Sequence, residues 1–336
     1  MHSVSGPELV AAVCNAGGVG VLGATTLSPS RLAEKIDGVR ALLHNKNAAF
    51  GVDIMVPKIG DGARKTNVDY TAGSFPLMIK VLVEKRVAIA ITAVGIPDAR
   101  AIETLRRGGV KWGNMCGSAK HARAALRSGA DLLIAQGMEA GGHVGTIGSF
   151  VLTPLVVDAT IAHAKATGAA AIPVLLAGGV FDGRGLAAAM ALGAAGVWVG
   201  TAFVVAKESR AGPSHRTSIV EYNELEDDTR VTTAYTGRPC RVRRDAYNAY
   251  YSTAAGVARL AALQAGGHTA WDVDTGTPGE NPMGAKYPLL MGQSAAGVKA
   301  AHSNRRAADI IDDIMGTATR VIRDASISSL KAASKL

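Results

Sequence analysis

The residues best placed to do chemistry are Gln136, Glu139 and His143, gathered in one glycine-rich segment, Gln136-Gly137-Met138-Glu139-Ala140-Gly141-Gly142-His143. A histidine takes up and releases protons near neutral pH, and a glycine-flanked loop lets backbone come close to a ligand. Glu139 reads as a brace for the loop. The apolar run before it, Leu132 to Ala135, has the composition of a buried parallel strand. A loop leaving such a strand at its C-terminal end is where β/α barrels keep their active sites.

A second pair of loops has the chemistry of an anion site. The run Ile172 to Ala177 ends in Gly178-Gly179, with Asp182-Gly183-Arg184-Gly185 opening the helix that follows; Ala195 to Val199 ends in Gly200-Thr201. Backbone N–H groups left bare at late strand-to-helix turns bind phosphate, because glycine leaves room and the helix end is positive. Two such turns in consecutive units favour a phosphate site over plain tight turns.

The elements that must position these loops alternate regularly. Strands are expected at Val19–Gly23, Ala48–Met55, Val87–Val94, Val110–Cys116, Asp131–Gln136, Ile172–Ala177 and Ala195–Val199. Helices are expected at 7–16, 28–43, 75–84, 97–107, 118–128, 153–167 and 183–192. Pro7 and Ser28-Pro29 give helix-start signals. The pattern predicts a TIM-type (β/α)8 barrel, α/β in class, with a parallel sheet inside its helices. Only seven strands are countable and the chain opens on a helix, so the first strand is expected to be missing, supplied from upstream of Met1 or replaced by another segment. Its neighbours at 19–23 and 196–200 should then have unpaired edges.

After residue 204 the alternation stops. The expected organisation is a barrel carrying the ligand site over 1–204, a smaller and mostly helical lid over 205–300, and a C-terminal helix over 301–336 packing back on barrel or lid. Within the lid, Tyr235–Val242 reads as extended or hairpin, Tyr247–Leu263 as helix and Gly276–Pro288 as a Pro/Gly-rich loop.

Composition narrows the function classes. The 336 residues are 48% hydrophobic and 19% charged, enough for a large core. The net charge of +9 is scattered, with Arg241-Val242-Arg243-Arg244 and Arg305-Arg306 its only clusters and no nucleic-acid reader motif beside them. Attraction of an anionic cofactor or substrate is the more economical use of that charge. Cys14, Cys116 and Cys240 are too few and too scattered for a disulfide framework or a zinc site. No metal site, no nucleic acid and no membrane span are expected, and the cytoplasm is the expected compartment.

Residues 136–143 (QGMEAGGH), 174–186 (VLLAGGVFDGRGL) and 195–209 (AGVWVGTAFVVAKES) resemble the motifs of the nitronate monooxygenase family, also called 2-nitropropane dioxygenases. The run 4–24 (VSGPELVAAVCNAGGVGVLGA) resembles its first block and Gly292-Gln293 its last. The resemblance implies a TIM barrel with a helical lid, a non-covalent FMN, and oxidation of nitronates or nitroalkanes by O2 to a carbonyl compound and nitrite. It further implies that Gly178, Gly179, Gly200 and Thr201 hold the FMN phosphate. Gln136, Gly137 and Gly142 would lie beside the isoalloxazine, with Lys120 near its N1/C2 carbonyl edge and Gln293 reaching it from the lid. His143 matches the family's active-site histidine. Homo-oligomers are compatible with the reading.

Two positions depart from the family. Asp53, in Phe50-Gly51-Val52-Asp53, stands where many relatives carry asparagine, and brings negative charge toward the flavin unless a cation such as Lys120 offsets it. The family's usual first strand ends in a proline–methionine pair; here Met1 stands about where that methionine would be and His2-Ser3 follow, so that strand is expected to be missing or replaced. Three other readings stay open at this point. They are an NAD(P)H-dependent reductase of quinones or enoyl thioesters on the same fold, a flavin-free barrel with a binding role, and a phosphosugar enzyme.

Overall fold

The computed structural model describes residues 4–56, 58–222, 226–276 and 287–333, with side chains through residue 326. Most of the expected Gly276–Pro288 loop, and the Met1-His2-Ser3 start, lie outside the described residues.

Seven strands form one parallel sheet: β1 (Val21–Gly23), β2 (Gly51–Met55), β3 (Ile89–Ala93), β4 (Lys111–Cys116), β5 (Leu132–Gln136), β7 (Val174–Ala177) and β8 (Gly196–Trp198). They pair in the order β1-β2-β3-β4-β5-β7-β8. A two-residue strand, β6 (Gly142–His143), leaves this sheet to join β9 (Thr229–Thr232) and β10 (Cys240–Arg243) in an antiparallel sheet of order β6-β10-β9. The sheet curls as a barrel does, and each predicted strand is found within a few residues of its predicted place.

Alternation along the strands sorts the side chains by face. Val52 and Ile54 of β2 join the apolar layer under the helices, with Phe50, Met78, Leu82, Trp112 and Leu133. The opposite face carries Ile91, Ile134 and Ala177, packed against Val21, Met115, Leu175 and Trp198. Asp53 pairs in register with Gly23 and Ile91 and so belongs to this inner face, as does Gln136, two residues beyond Ile134.

As the strand count predicts, β1 and β8 are the two ends of the sheet and do not pair with each other. The segment before the helix Pro7–Asn15 lies along β1 instead. Gly23 N donates to Ser5 O at 3.4 Å, and the Ser5 hydroxyl donates to the Val21 carbonyl. Val4 is buried among Val204, Val205, Ile219, Met291 and Ala295, and its carbonyl accepts from Arg210 N at 3.2 Å. Part of one sheet edge is thereby capped by chain that is not itself a strand.

The C-terminal helix Ala307–Ala333 packs on barrel helices: Ile310, Ile314 and Ala318 sit with Leu9 and Leu186. A separate core, Tyr235, Tyr247, Tyr251, Leu260 and Ala270, lies under the β9–β10 hairpin. The expected helix over 247–263 is two helices, Ala246–Tyr250 and Ala254–Ala265, because Thr253 caps a new start by accepting from Gly256 N. The helix expected from Thr153 begins four residues earlier, at Ser149. Glu139 is the reason: its carboxylate accepts from both Ser149 N and Ser149 Oγ at 3.0 Å, filling a side-chain cap that Gly148 cannot supply.

Candidate active site

The loop from Gln136 to His143 is held from every side. Gly137 N continues the β5–β7 ladder by donating to Ala177 O at 2.9 Å. The Gln136 amide donates to the His143 carbonyl at 3.0 Å, closing the loop on itself. His143 pairs in register with Cys240 of β10, and Val144 N donates to Pro239 O at 3.1 Å. Gln293 N donates to Glu139 O at 2.9 Å, and Arg241 Nε donates to Met138 O at 2.9 Å.

These contacts change what the loop glycines are for. A Cβ on Gly137 would stand 2.5 Å from Ser149 N, and one on Gly141 2.7 Å from the Met291 carbonyl carbon. The close approach at both positions is by the protein's own backbone. Gly179 is different. Its φ of +78° excludes ordinary side chains, yet a Cβ there would meet nothing nearer than Ser149 Oγ at 3.8 Å. Gly178, at φ +93°, packs closer, 3.1 Å from Ala140 N. Gly179 therefore opens onto space beside the loop, while Gly178 packs against it.

The structure brings most of the predicted residues to one place. Gly178-Gly179 leaves β7 directly after Gly137's partner Ala177, and Gly200-Thr201 leaves the adjacent β8. The buried Thr201 hydroxyl accepts from Gly292 N at 3.2 Å, which ties this turn to Gln293. Gln293 in turn donates its side-chain amide to Asp227 Oδ2 at 2.6 Å. Lys120 is the exception. It is exposed in the first turn of the helix Ala119–Arg127 and makes no ion pair with any described residue.

His143 is neutral. Burial, helped by the positive charge of Arg238, lowers its pKa from 6.5 to about 4. Its Nε2 is 2.9 Å from Thr236 Oγ1, which leaves Nδ1 without a partner among the described residues. Asp53 is shifted the opposite way. Its Oδ1 is buried without a hydrogen bond, and desolvation raises its pKa from 3.8 to about 6. Asp227 remains strongly acidic at about 2. Burial opposes ionisation, but donors from Thr229, Gln293 and Tyr222 outweigh it.

Thr236, Asp227, Arg238 and Asn67 were not singled out from the sequence. Of the basic run 241–244, Arg241 and Arg243 are internal wiring. Arg241 is 3% exposed and donates to Thr229 Oγ1 at 2.6 Å, and Arg243 donates to Ser218 O at 2.7 Å. Among the described residues no group of His, Cys, Asp and Glu could hold a metal ion, and no helix is long and apolar enough to cross a membrane.

A family model described as nitronate monooxygenase matches residues 1–305. The chain belongs to this family. A probable nitronate monooxygenase of Staphylococcus aureus (strain JH9) is 33% identical over 266 residues, covering 70% of this chain and 71% of the relative. Among solved structures, nitroalkane oxidase from Streptomyces ansochromogenes superposes with a TM-score of 0.75 at 26% identity, covering 96% of this chain and 94% of that one. FabK from Thermotoga maritima gives 0.74 at 29% identity, covering 97% and 93%. Family and neighbours make this nitronate monooxygenase family member a flavin oxidoreductase on a TIM-barrel framework.

Proposed function

We propose that this enzyme binds FMN and oxidises alkyl nitronates with O2, giving a carbonyl compound and nitrite. The residues present fit the cofactor on two observations. Gly179 opens onto space that a Cβ would begin to fill, as a phosphate seat requires, with Gly200 and Thr201 on the neighbouring strand end. The orphaned Asp53 Oδ1 on the inner barrel face is an acceptor lacking a donor, which a bound flavin could supply. Gln136, Gly137, Gly142 and Gln293 line the same loop cluster and complete the proposed cofactor site. The exposed Lys120 would have to swing inward to join it.

FMN, when bound, supplies the electron transfer between substrate and oxygen. The chain's own residues bind, orient and manage one proton. The observation that carries the reading is the neutral His143 at the end of the same loop whose Gly137 and Ala140 pack against Gly178. With Nε2 engaged by Thr236, Nδ1 is the nitrogen left for the substrate. A pKa near 4 makes His143 a weak base, so the site is better suited to a nitronate, already deprotonated, than to a neutral nitroalkane. The Tyr235–Cys240 segment, joined to β6 through β10, covers the mouth and limits water there.

The likeness to FabK favours a second reading, in which NAD(P)H reduces the flavin and an enoyl thioester or quinone takes the electrons. Anaerobic mixing separates the two. Fast bleaching of the yellow flavin by a nitronate, with slow bleaching by NAD(P)H, supports the first reading; the reverse order refutes it. Nitrite release in air then confirms the product.

A further inference from the structure

Arg238 is a cation with no carboxylate. It lies half-buried in the segment that covers the barrel mouth, two residues after Thr236, the partner of His143. Its Nε donates to Asn67 Oδ1 at 3.0 Å, and its Nη1 reaches the Val94 carbonyl at 3.5 Å. No ion pair is formed by this guanidinium among the described residues, and Nη2 has no hydrogen-bond partner there. The neighbouring charge is unhelpful: Arg64, which donates to Gly237 O at 3.1 Å, adds a second cation nearby. A half-buried guanidinium beside another cation and a neutral histidine is costly unless something negative visits it.

The acceptor at Val94 strengthens the case. Val94 follows β3 at the C-terminal mouth and has φ +71°, a conformation that a β-branched residue rarely adopts. Such strain costs about 1–3 kcal/mol and persists only where surrounding structure enforces it. Here buried Asn114 enforces it by donating to Gly95 O at 2.9 Å and to Thr92 Oγ1 at 2.8 Å. The strained turn and Asn67 Oδ1 thus hold the guanidinium from two elements, while Thr236 Oγ1 accepts from the Arg238 backbone N at 3.4 Å, all at the same end of the barrel as His143.

We infer that Arg238 is the substrate's anion receptor, binding the nitronate oxygens through its free N–H groups while His143 Nδ1 faces the same group. The inference rests on the nitronate reading for its substrate, though not for the existence of an anion site. A planar guanidinium matches a two-oxygen anion in fork geometry, which an ammonium cannot reproduce. The alternative role is a staple that only joins residue 67 to the lid segment.

The test uses flavin-free and flavin-loaded full-length protein. Flavin-free protein carrying 15N-labelled histidine is titrated with sodium nitrite, and the His143 signal is followed by NMR. The expected result is saturable movement of that signal, weakened at least about tenfold in Arg238→Gln and by less in Arg238→Lys. In loaded protein, Arg238→Gln should raise KM for a nitronate about tenfold or more, with a smaller change in kcat. Asn67→Ala breaks the same staple while keeping the charge, and should retain most of the anion affinity. Equal nitrite affinity in wild type and Arg238→Gln, or none in either, overturns the receptor. Loss in Asn67→Ala equal to that in Arg238→Gln also overturns it, in favour of the staple. Nitrite binding that depends on Arg238 in an enzyme that fails to oxidise nitronates would leave the receptor standing and sink the substrate assignment alone.

Discussion

His143 and Asp53 are shifted in opposite directions over nearly the same pH range, and that makes a sharp prediction for stability. His143 has its pKa lowered from 6.5 to about 4, and Asp53 has its pKa raised from 3.8 to about 6, both by burial. Each displacement corresponds to about 3 kcal/mol between folded and unfolded states. For His143 the unfolded chain holds the extra proton between pH 6.5 and 4, so stability falls as pH drops through that window. For Asp53 the folded chain holds the extra proton between 3.8 and 6, so stability falls as pH rises through it. In the wild type the two slopes largely cancel. Asp53→Asn removes one of them, and the flavin-free variant should gain about 3 kcal/mol of stability from pH 4 to 6.5 relative to the wild-type trend. His143→Asn should lose stability over the same rise, for the opposite reason. Urea midpoints measured at half-unit pH steps read both slopes, and all other titrating groups are common to the three proteins. If both variants track the wild-type pH dependence, the two groups are not buried as described and the reasoning fails.

Other expectations follow from single contacts. Gly179→Val should abolish FMN retention without loss of helix content, whereas Gly168→Ala, which sits at φ +70° in the remote helix end with open space around it, should keep FMN and report the strain alone. His143→Asn in the loaded enzyme should slow a neutral nitroalkane by ~10²-fold, the low end for a general base because its pKa near 4 makes it a weak one, and a preformed nitronate much less; equal losses would make the histidine an orienting group only. The wild-type rate on the nitroalkane should hold level from neutral pH down toward about 4, instead of falling below 6.5, since the folded-state pKa is the lower one. Glu139→Ala should cost about 1–2 kcal/mol in thermal unfolding, because the helix at Ser149 loses both of its carboxylate bonds.

The barrel was readable because its strands are short apolar runs stopped by glycines and its helices announce themselves. Ser28 caps as its position suggests, accepting from Arg31 N, and Ser118, at the start of the helix expected over 118–128, accepts from His121 N. The open ends of the sheet followed from counting to seven. What could not be read was anything set by distant partners. Gly142-His143 is a strand only because Cys240 and Arg241, nearly a hundred residues later, pair with it. The histidine was visible as a type, but its neutral state depends on burial and on Arg238. Gly137 and Gly141 looked like room for a ligand, and are filled by Ser149 and Met291. Arg241 was visible only as part of a basic cluster, because sequence shows a cation without showing that it donates to Thr229 and Met138.

These distant partners all meet on a few residues of one loop, and that has a consequence for how the site works. Between Met138 and Val144 the backbone receives Arg241 at Met138 O, Gln293 at Glu139 O, and the β10 ladder at Gly142 and His143, while the Glu139 side chain starts a barrel helix. Gln293 and Arg241 also share Asp227, so the segment after β8, the hairpin and the β5 loop form one hydrogen-bonded unit. The covering segment therefore cannot lift from the barrel without disturbing the peptide that carries His143. Opening for substrate is expected on the other flank, where residues 64–67 are tied to the covering segment and the helices behind it by the side-chain bonds of Arg238, Arg64 and Lys65 and not by a ladder. A substrate entering there would meet the guanidinium first and the histidine second, which is the order that an anion receptor beside a neutral base requires.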